Sequence, residues 1–280
     1  MSKGALLIAR NNSEIDYIKQ AVFCANRIKK YQGIPVSIIT DSVAYLEKIY
    51  PDHPFDKVIN ADVSSTDTYR KYHDGSWTRK SLQFKNTDRS TAYNLTPYDE
   101  TILLDTDFIV ANDVLNRCFD QEHNLLMYSN NAFEFSGWRD LSEFKFISDT
   151  GPHFYWATCV FFRKTNPNKI FFNLVSHINK NWHHYRHMYQ ITSGVFRNDF
   201  AFSIAAHIMN GHRDGNFVKP MPGTKYFITD RDYVEEITDD KFIFLIEKQG
   251  TADCFAIKST GSNIHIMNKF SLNRIIDNAD

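Results

Sequence analysis

Between Thr101 and Val110 the chain reads TILLDTDFIV, an apolar run broken by two carboxylates one residue apart. A run such as Ile102-Leu103-Leu104 buries its side chains in a sheet, and an ionised Asp just beyond it is costly unless paired, hydrogen-bonded or bound to a cation. Asp105 and Asp107 are two positions apart, so on a continuing strand they face the same way, and a slight turn at Thr106 brings both to one ion. Hard cations with oxygen ligands, Mg²⁺ or Mn²⁺, suit that pair and keep open positions for waters and phosphate oxygens. The stretch therefore predicts a seat for a metal and a diphosphate at Asp105, Thr106 and Asp107.

The residues before it alternate between two periods. Ala5 to Ala9 is a compact apolar run, and after Asn11-Asn12-Ser13 come Ile15, Ile18, Val22, Ala25 and Ile28 at helical spacing. Ser13 with Asp16 resembles a capping box, and Gly33-Ile34-Pro35 closes the helix ahead of a strand over Val36 to Thr40. A helix around Tyr45 to Tyr50, a third strand over Lys57 to Asp62 and a helical segment from Trp77 to Phe84 lead to the carboxylate strand. This order predicts an α/β fold, a mainly parallel, doubly wound sheet flanked by helices, with ligands at the carboxyl ends of its strands. Asp41 and Asp105 both sit at such ends.

Beyond Asp107 the pattern changes. Strands are expected at Asn124 to Ser129 and Tyr155 to Phe162, with an aromatic-rich segment, Phe133 to Phe146, between them. A helix opens at Asn166-Pro167 with the stripe Ile170, Phe171, Leu174, Val175, Ile178 and Trp182, and Asn198 or Asp199 caps another that ends near Gly211. Strand-like runs follow at Lys241 to Glu247, Cys254 to Lys258 and Asn263 to Met267. At 280 residues, without repeat or clear linker, a single domain over 1–280 is expected.

A net charge of -1 gives no global electrostatic case for a nucleic-acid binder, although a local basic groove is compatible with it. Cys24, Cys118, Cys159 and Cys254 are too far apart for a zinc or redox motif and read as reduced core thiols. No stretch approaches the ~20 apolar residues of a spanning helix, and a cytoplasmic location is expected. Trp77, Trp138 and Trp156 read as core or cleft packing.

Strand and helix alternation leading to Asp-x-Asp at the end of a buried strand resembles the GT-A class of nucleotide-sugar-dependent glycosyltransferases, whose fold is GT-A-like or Rossmann-like. The resemblance implies that residues 1–110 form a nucleotide-sugar-binding half and 111–280 an acceptor half with a closing carboxy-terminal segment. It also implies that Asp105 and Asp107 hold Mn²⁺ or Mg²⁺ against the donor diphosphate. The segment Asn263-Ile264-His265-Ile266-Met267-Asn268-Lys269 resembles the late metal-binding His of the glycogenin-like and bacterial galactosyltransferases. That likeness implies His265 as third metal ligand and Lys269 as a diphosphate contact, while the residues alone equally allow His265 on the wet face of a strand. Ala9, Arg10 and Asn11 stand where this class holds base and ribose, with Asp41 at the next strand end. Arg79 and Lys80 are placed to meet donor phosphates from a helix face. Asp199 stands where the class puts an acidic residue beside the acceptor, as a general base or simply a helix cap. The group Trp182-His183-His184-Tyr185-Arg186-His187 begins a loop able to embrace an acceptor, or is a solvated helix end.

The whole chain also looks similar to small glycosyltransferases of T-even-like tailed phages. That likeness implies 5-hydroxymethylcytosine in DNA as acceptor and a UDP-sugar donor, of the glucose or arabinose type. A cell-surface glycan or protein acceptor, or a nucleotide-sugar-binding module without turnover, is the alternative. A nucleotidyltransferase would need a glycine-rich phosphate loop after the first strand, and Ala9-Arg10-Asn11-Asn12-Ser13 offers none.

Overall fold

A computed structural model describes residues 1–61, 68–139, 141–149, 151–239, 241–248, 251 and 253–277. The first segments follow the expected order: β1 (Lys3–Ile8), α1 (Tyr17–Gln32), β2 (Val36–Thr40), α2 (Val43–Ile49) and β3 (Lys57–Asn60). Asp62, expected in the third strand, lies outside the described residues. Asp16, not Ser13, caps α1, its carboxylate accepting from the Lys19 N–H at 3.0 Å, because a full negative charge also meets the positive end of the helix. The helix stops at Gly33, whose φ of 63° lies in the left-handed region that glycine enters without a Cβ clash.

The segment from Trp77 to Phe84, expected to be helical, is instead half of a hairpin. β4 (Tyr69–Asp74) pairs antiparallel with β5 (Thr78–Gln83). Arg70, Tyr72, Lys80 and Leu82 share one face of this ribbon, and Tyr72 with Leu82 anchors it to the core while Lys71, Arg79 and Ser81 stay exposed. A single buried side chain per strand is too weak a period-two signal to read among so many cations. The turn holds Gly75 at φ 73°, where an added Cβ would fall 1.6 Å from the Tyr233 hydroxyl.

After a short α3 (Ala92–Leu95) come β6 (Glu100–Leu104), β7 (Phe108–Ile109), β8 (Leu125–Tyr128), β9 (Ala132–Glu134) and β10 (Trp156–Arg163). Three helices follow, α4 (Asn166–Lys180), α5 (Trp182–Met188) and α6 (Asn198–Met209). The remainder is β11 (Lys219–Pro220), β12 (Lys225–Ile228), β13 (Tyr233–Ile237), β14 (Phe242–Glu247), β15 (Cys254–Ser259), β16 (Ile264–Ile266) and α7 (Lys269–Asp277). Thr165 caps α4, and its buried stripe is Phe171, Phe172, Val175 and Ile178, with Ile170 turned to solvent at 58% exposure. The Trp182 to His187 group forms α5, which buries no side chain, as the solvated-helix reading expects and not the loop reading. Arg197, not Asn198 or Asp199, holds the cap position of α6, because the Asp199 carboxylate is drawn to the Ala157 N–H instead.

The large sheet has the order β11-β8-β10-β6-β1-β2-β3. β6, β1, β2 and β3 are parallel, β10 runs against β6 and β8, and helices such as α1 and α6 flank it. A second sheet, β7-β16-β12-β9, and an antiparallel three-stranded one, β13-β14-β15, complete the fold. Leu6, Leu7, Ile102, Leu103, Val160 and Phe161 are buried at the centre of the large sheet. Each such side chain contributes about 1.5–3 kcal/mol by leaving water. Cys24, Cys118 and Cys159 are buried free thiols, whereas Cys254 is exposed at the start of β15, outside the core expected for it. Trp156 is core, but Trp77 and Trp138 are 84% and 61% exposed, against the packing expected of them. No helix among the described residues is long and apolar enough to cross a membrane.

Candidate functional site

The two carboxylates sit where the chain changes sheets. β6 ends at Leu104, the Asp105 N–H donates to the Thr158 carbonyl at 2.8 Å, and a turn closes with the Phe108 N–H on the Asp105 carbonyl at 3.2 Å. The chain then enters the second sheet as β7, whose partner is β16, with Phe108 opposite His265. The Ile266 N–H donates to the Asp107 carbonyl at 2.9 Å. Strand pairing thus carries His265 to the DTD turn from more than 150 positions away in the chain, and ligand atoms of Asp105, Asp107 and His265 lie within 4.8 Å of one another. His265 is buried rather than on a wet strand face.

Asp107 is 2% exposed, and its carboxylate meets Lys269 Nζ at 2.5 Å and His265 Nε2 at 3.4 Å. Burial alone would lift this carboxyl, but Lys269 and His265 outweigh it and hold Asp107 far below the usual carboxylate range. Asp105 keeps its side chain 36% exposed toward the cavity and is ion-paired with Arg89. Burial lifts its carboxyl despite Arg89, and Asp107 lifts it further. Burial also lowers the His265 pKa against the pull of Asp107, which favours the neutral imidazole that ligates metals. Its Nδ1 is buried with no partner among the described residues. Two carboxylates and one neutral imidazole fit Mn²⁺ or Mg²⁺.

A cavity of about 70 Å³ opens beside these groups, lined in part by Asn86, Arg89, Asp105, Asp107, Asn198 and Asp199. A larger one of about 910 Å³ shares Arg70, Asp105, Asp199 and Lys269 with it and extends to Arg139 and Arg231. Arg89 Nε and Nη2 and the Oδ1 atoms of Asn86 and Asn198 are buried without partners among the described residues. A buried polar atom left so costs about 1–3 kcal/mol unless something supplies its hydrogen bond, so the small cavity is built for a polar guest. Arg70, Asn86, Arg89 and Asn198 escaped sequence reasoning. Arg70 lies on the hairpin and Asn86 and Arg89 in the turns after it, where no periodicity or motif marks them, while Asn198 at the start of α6 carried only a cap signal.

Asp199 lines both cavities, but its carboxylate already accepts from the Ala157 N–H at 2.9 Å and from Arg197 Nη2 at 3.1 Å. Burial would raise its pKa, and Arg197, the Ala157 N–H and Lys225 together hold it below the ordinary value. Lys225 lies behind β10, 0% exposed, and burial pushes its pKa down to about 7 against the attraction of Asp199 and Asp105. The unfolded chain keeps that proton to about pH 10.4. Between those values the unfolded state binds more protons, so stability rises with pH. Melting curves of the parent are expected to gain on those of Lys225→Met from about pH 7 to about pH 10. Parallel pH profiles for the two proteins would mean that the lysine keeps its charge.

No family model matches the chain, and no curated protein matches it. Among solved structures it is similar to the galactosyltransferase LgtC in complex with donor and acceptor sugar analogues, at 12% identity over 78% of this chain and 72% of that one, with a TM-score of 0.48. Mouse xyloside xylosyltransferase 1 gives 11% identity over 79% and 85% of the two chains and a TM-score of 0.47. The glycosyltransferase GlyE of Streptococcus pneumoniae TIGR4 gives 12% over 79% and 45%, with a TM-score of 0.42. Chemistry has to be argued from the site.

Several residues expected around a donor are held elsewhere. Ala9 is fully buried, with its N–H on the Ile39 carbonyl. Arg10 is 2% exposed, donates to the Lys85 carbonyl and stands 3.7 Å from Asp88. Asn11 accepts from the Ile18 N–H and donates to Asp16, and Asp41 accepts from the Ser42 hydroxyl. Thr106 lines the small cavity, and its hydroxyl donates to Gln20 Oε1 at 3.3 Å. Arg79 and Lys80 lie on the hairpin rather than a helix, Arg79 on its outer face and Lys80 paired with Glu14 at 2.5 Å. Of the expected donor and metal residues, the structure brings together Asp105, Thr106, Asp107, His265 and Lys269.

Proposed function

We propose that this protein is a glycosyltransferase that moves a sugar from a nucleotide-diphosphate donor to a hydroxyl acceptor, as one catalytic unit over its whole length. The observation that carries this reading is the meeting of Asp105, Asp107 and His265 beside a cavity lined by buried, unpartnered polar atoms. The divalent ion these three would hold, Mn²⁺ or Mg²⁺, supplies charge neutralisation for a departing diphosphate. Arg89 and Lys269 already balance the two carboxylates. Adding a doubly charged ion leaves the site positive, and a diphosphate is the ligand that such a surplus favours. Lys269 is within reach of phosphate oxygens from its place on Asp107, and Arg89 offers Nε and Nη2 to donor oxygens as a fixed fork. UDP-sugars of the glucose or arabinose type are the donors to test first.

Asp199 is our choice for receiving the acceptor's proton. Its lowered pKa keeps it ionised at neutral pH and makes it a weak base, so it would accept the proton late, once the new bond to the sugar has made the hydroxyl acidic. For the acceptor we propose 5-hydroxymethylcytosine in DNA. The hairpin supports that choice, since Lys71 and Arg79 on its outer face have no acidic partner among the described residues and Trp77 and Tyr69 are 84% and 59% exposed beside them. Lys71 carries this surface to the larger cavity, which Arg70 also lines from the other face of the ribbon.

The test is release of UDP from a panel of UDP-sugars with Mn²⁺ or with a chelator, in the presence and absence of hydroxymethylcytosine DNA. Release that needs the metal and rises with that DNA is expected. Metal-dependent release indifferent to DNA would remove the acceptor and keep the class, while pyrophosphate in place of UDP would replace sugar transfer by nucleotidyl chemistry.

A further inference from the structure

Lys225 is a fully buried cation that the proposed reaction does not use. It stands at the start of β12, its Nζ 3.2 Å from the centre of the Trp156 ring and 3.4 Å from Thr158 Oγ1. Among the described residues no carboxylate is ion-paired with it. A methionine or leucine would fill the same space without the cost of taking a charge out of water, so the ammonium needs a reason to be there.

The stretch it touches is irregular. Along β10 the register against β8 shifts between Trp156 and Val160, a bulge that leaves residues without ladder partners and re-aims their neighbours. Three groups of the candidate site depend on that stretch. The Thr158 carbonyl accepts from the Asp105 N–H at 2.8 Å, and the Ala157 N–H donates to Asp199 Oδ1 at 2.9 Å. The Trp156 ring stands edge-on to His265 with centroids 6.0 Å apart.

We infer that Lys225 is a positioning residue, whose ammonium clamps the Trp156 face and the Thr158 hydroxyl and so holds the β10 bulge in the shape that places Asp105, Asp199 and His265. The cation–π contact suits this task because it fixes the indole plane without occupying any backbone donor or acceptor. The purpose of the clamp rests on the transferase reading, but its existence does not.

Amide hydrogen exchange of the full chain at pH 6, parent against Lys225→Met, tests the clamp. Methionine keeps the length of the side chain and removes the charge. The Asp105 and Ala157 amides are expected to exchange at least tenfold faster in the variant while those of β1 and β2 keep their protection, and Mn²⁺ binding by the free protein, followed by electron paramagnetic resonance, is expected to weaken at least tenfold. Unchanged protection of Asp105 and Ala157 would overturn the inference, whether Mn²⁺ then bound equally or more tightly. Should Lys225→Met fail to fold, Trp156→Phe, which keeps an aromatic face with weaker hold on a cation, is expected to loosen the same two amides to a smaller extent, and identical exchange there overturns it too. A parent that binds no Mn²⁺ would count against the metal reading, with the exchange result still deciding the role of Lys225.

Discussion

Asp107→Asn is expected to lower metal-dependent sugar transfer by about 10³-fold or more while leaving the fold in place. Asp107 is the buried member of the carboxylate pair and the one that Lys269 and His265 both contact. Asparagine matches its shape, so the 2.9 Å bond from the Ile266 N–H to its backbone carbonyl can persist. What disappears is the negative charge that would hold a cation and that keeps Lys269 in place. Asp105→Asn should cost less, because the Asp105 side chain is 36% exposed and solvent there partly replaces a lost charge. Turnover together with Mn²⁺ titration of both variants reads this directly. Asp107→Asn turnover within tenfold of the parent, with the same Mn²⁺ dependence, would show that Asp107 does not hold the ion.

The largest stability loss is expected away from the chemistry, at Asp232. This carboxylate is 0% exposed and accepts from Arg139 Nη1 at 2.9 Å and Nη2 at 2.6 Å. It also accepts from the Thr229 N–H at 2.7 Å, the Thr229 hydroxyl at 2.9 Å and the Glu247 N–H at 3.1 Å. Arg139 in turn donates to Glu134 at 2.6 Å. The group therefore ties β9, the turn after β12 and the end of β14 into one wall of the larger cavity. Removing one partner of a buried charged network typically costs about 3–5 kcal/mol, since the donors left behind remain out of water. Asp232→Ala should accordingly melt on the order of 10 °C lower than the parent. Urea unfolding of the variant that shows a loss below about 1 kcal/mol would mean that water replaces the carboxylate and that the wall is looser than its hydrogen bonds suggest.

Much of the first half was legible from local pattern. The β1, α1, β2, α2, β3 order follows from apolar periods of 2.0 and 3.6 and from the punctuation at Gly33 and Pro35, all of which act within a few residues. The buried strand that ends at Asp105 was legible for the same reason. Trp77 to Phe84 misled because each strand of the ribbon buries a single side chain, Tyr72 in β4 and Leu82 in β5, so neither period stands out. Asp199 misled differently. Its position at the head of α6 is that of a cap, but its carboxylate reaches across to β10, a choice made by the packing of α6 against that strand.

From its sequence alone this chain is an α/β protein with a carboxylate pair at the end of a buried strand, because burial and strand continuity are local consequences of TILLDTDFIV. The place of His265 beside that pair and the surrounding charges were decided by tertiary structure. His265 reaches Asp107 only through the pairing of β16 with β7, Arg89 reaches Asp105 from a turn without any pattern of its own, and Lys225 reaches Trp156 from a different sheet. Register between distant strands is set by which faces the whole core buries, and a chain read a few residues at a time does not contain that sum.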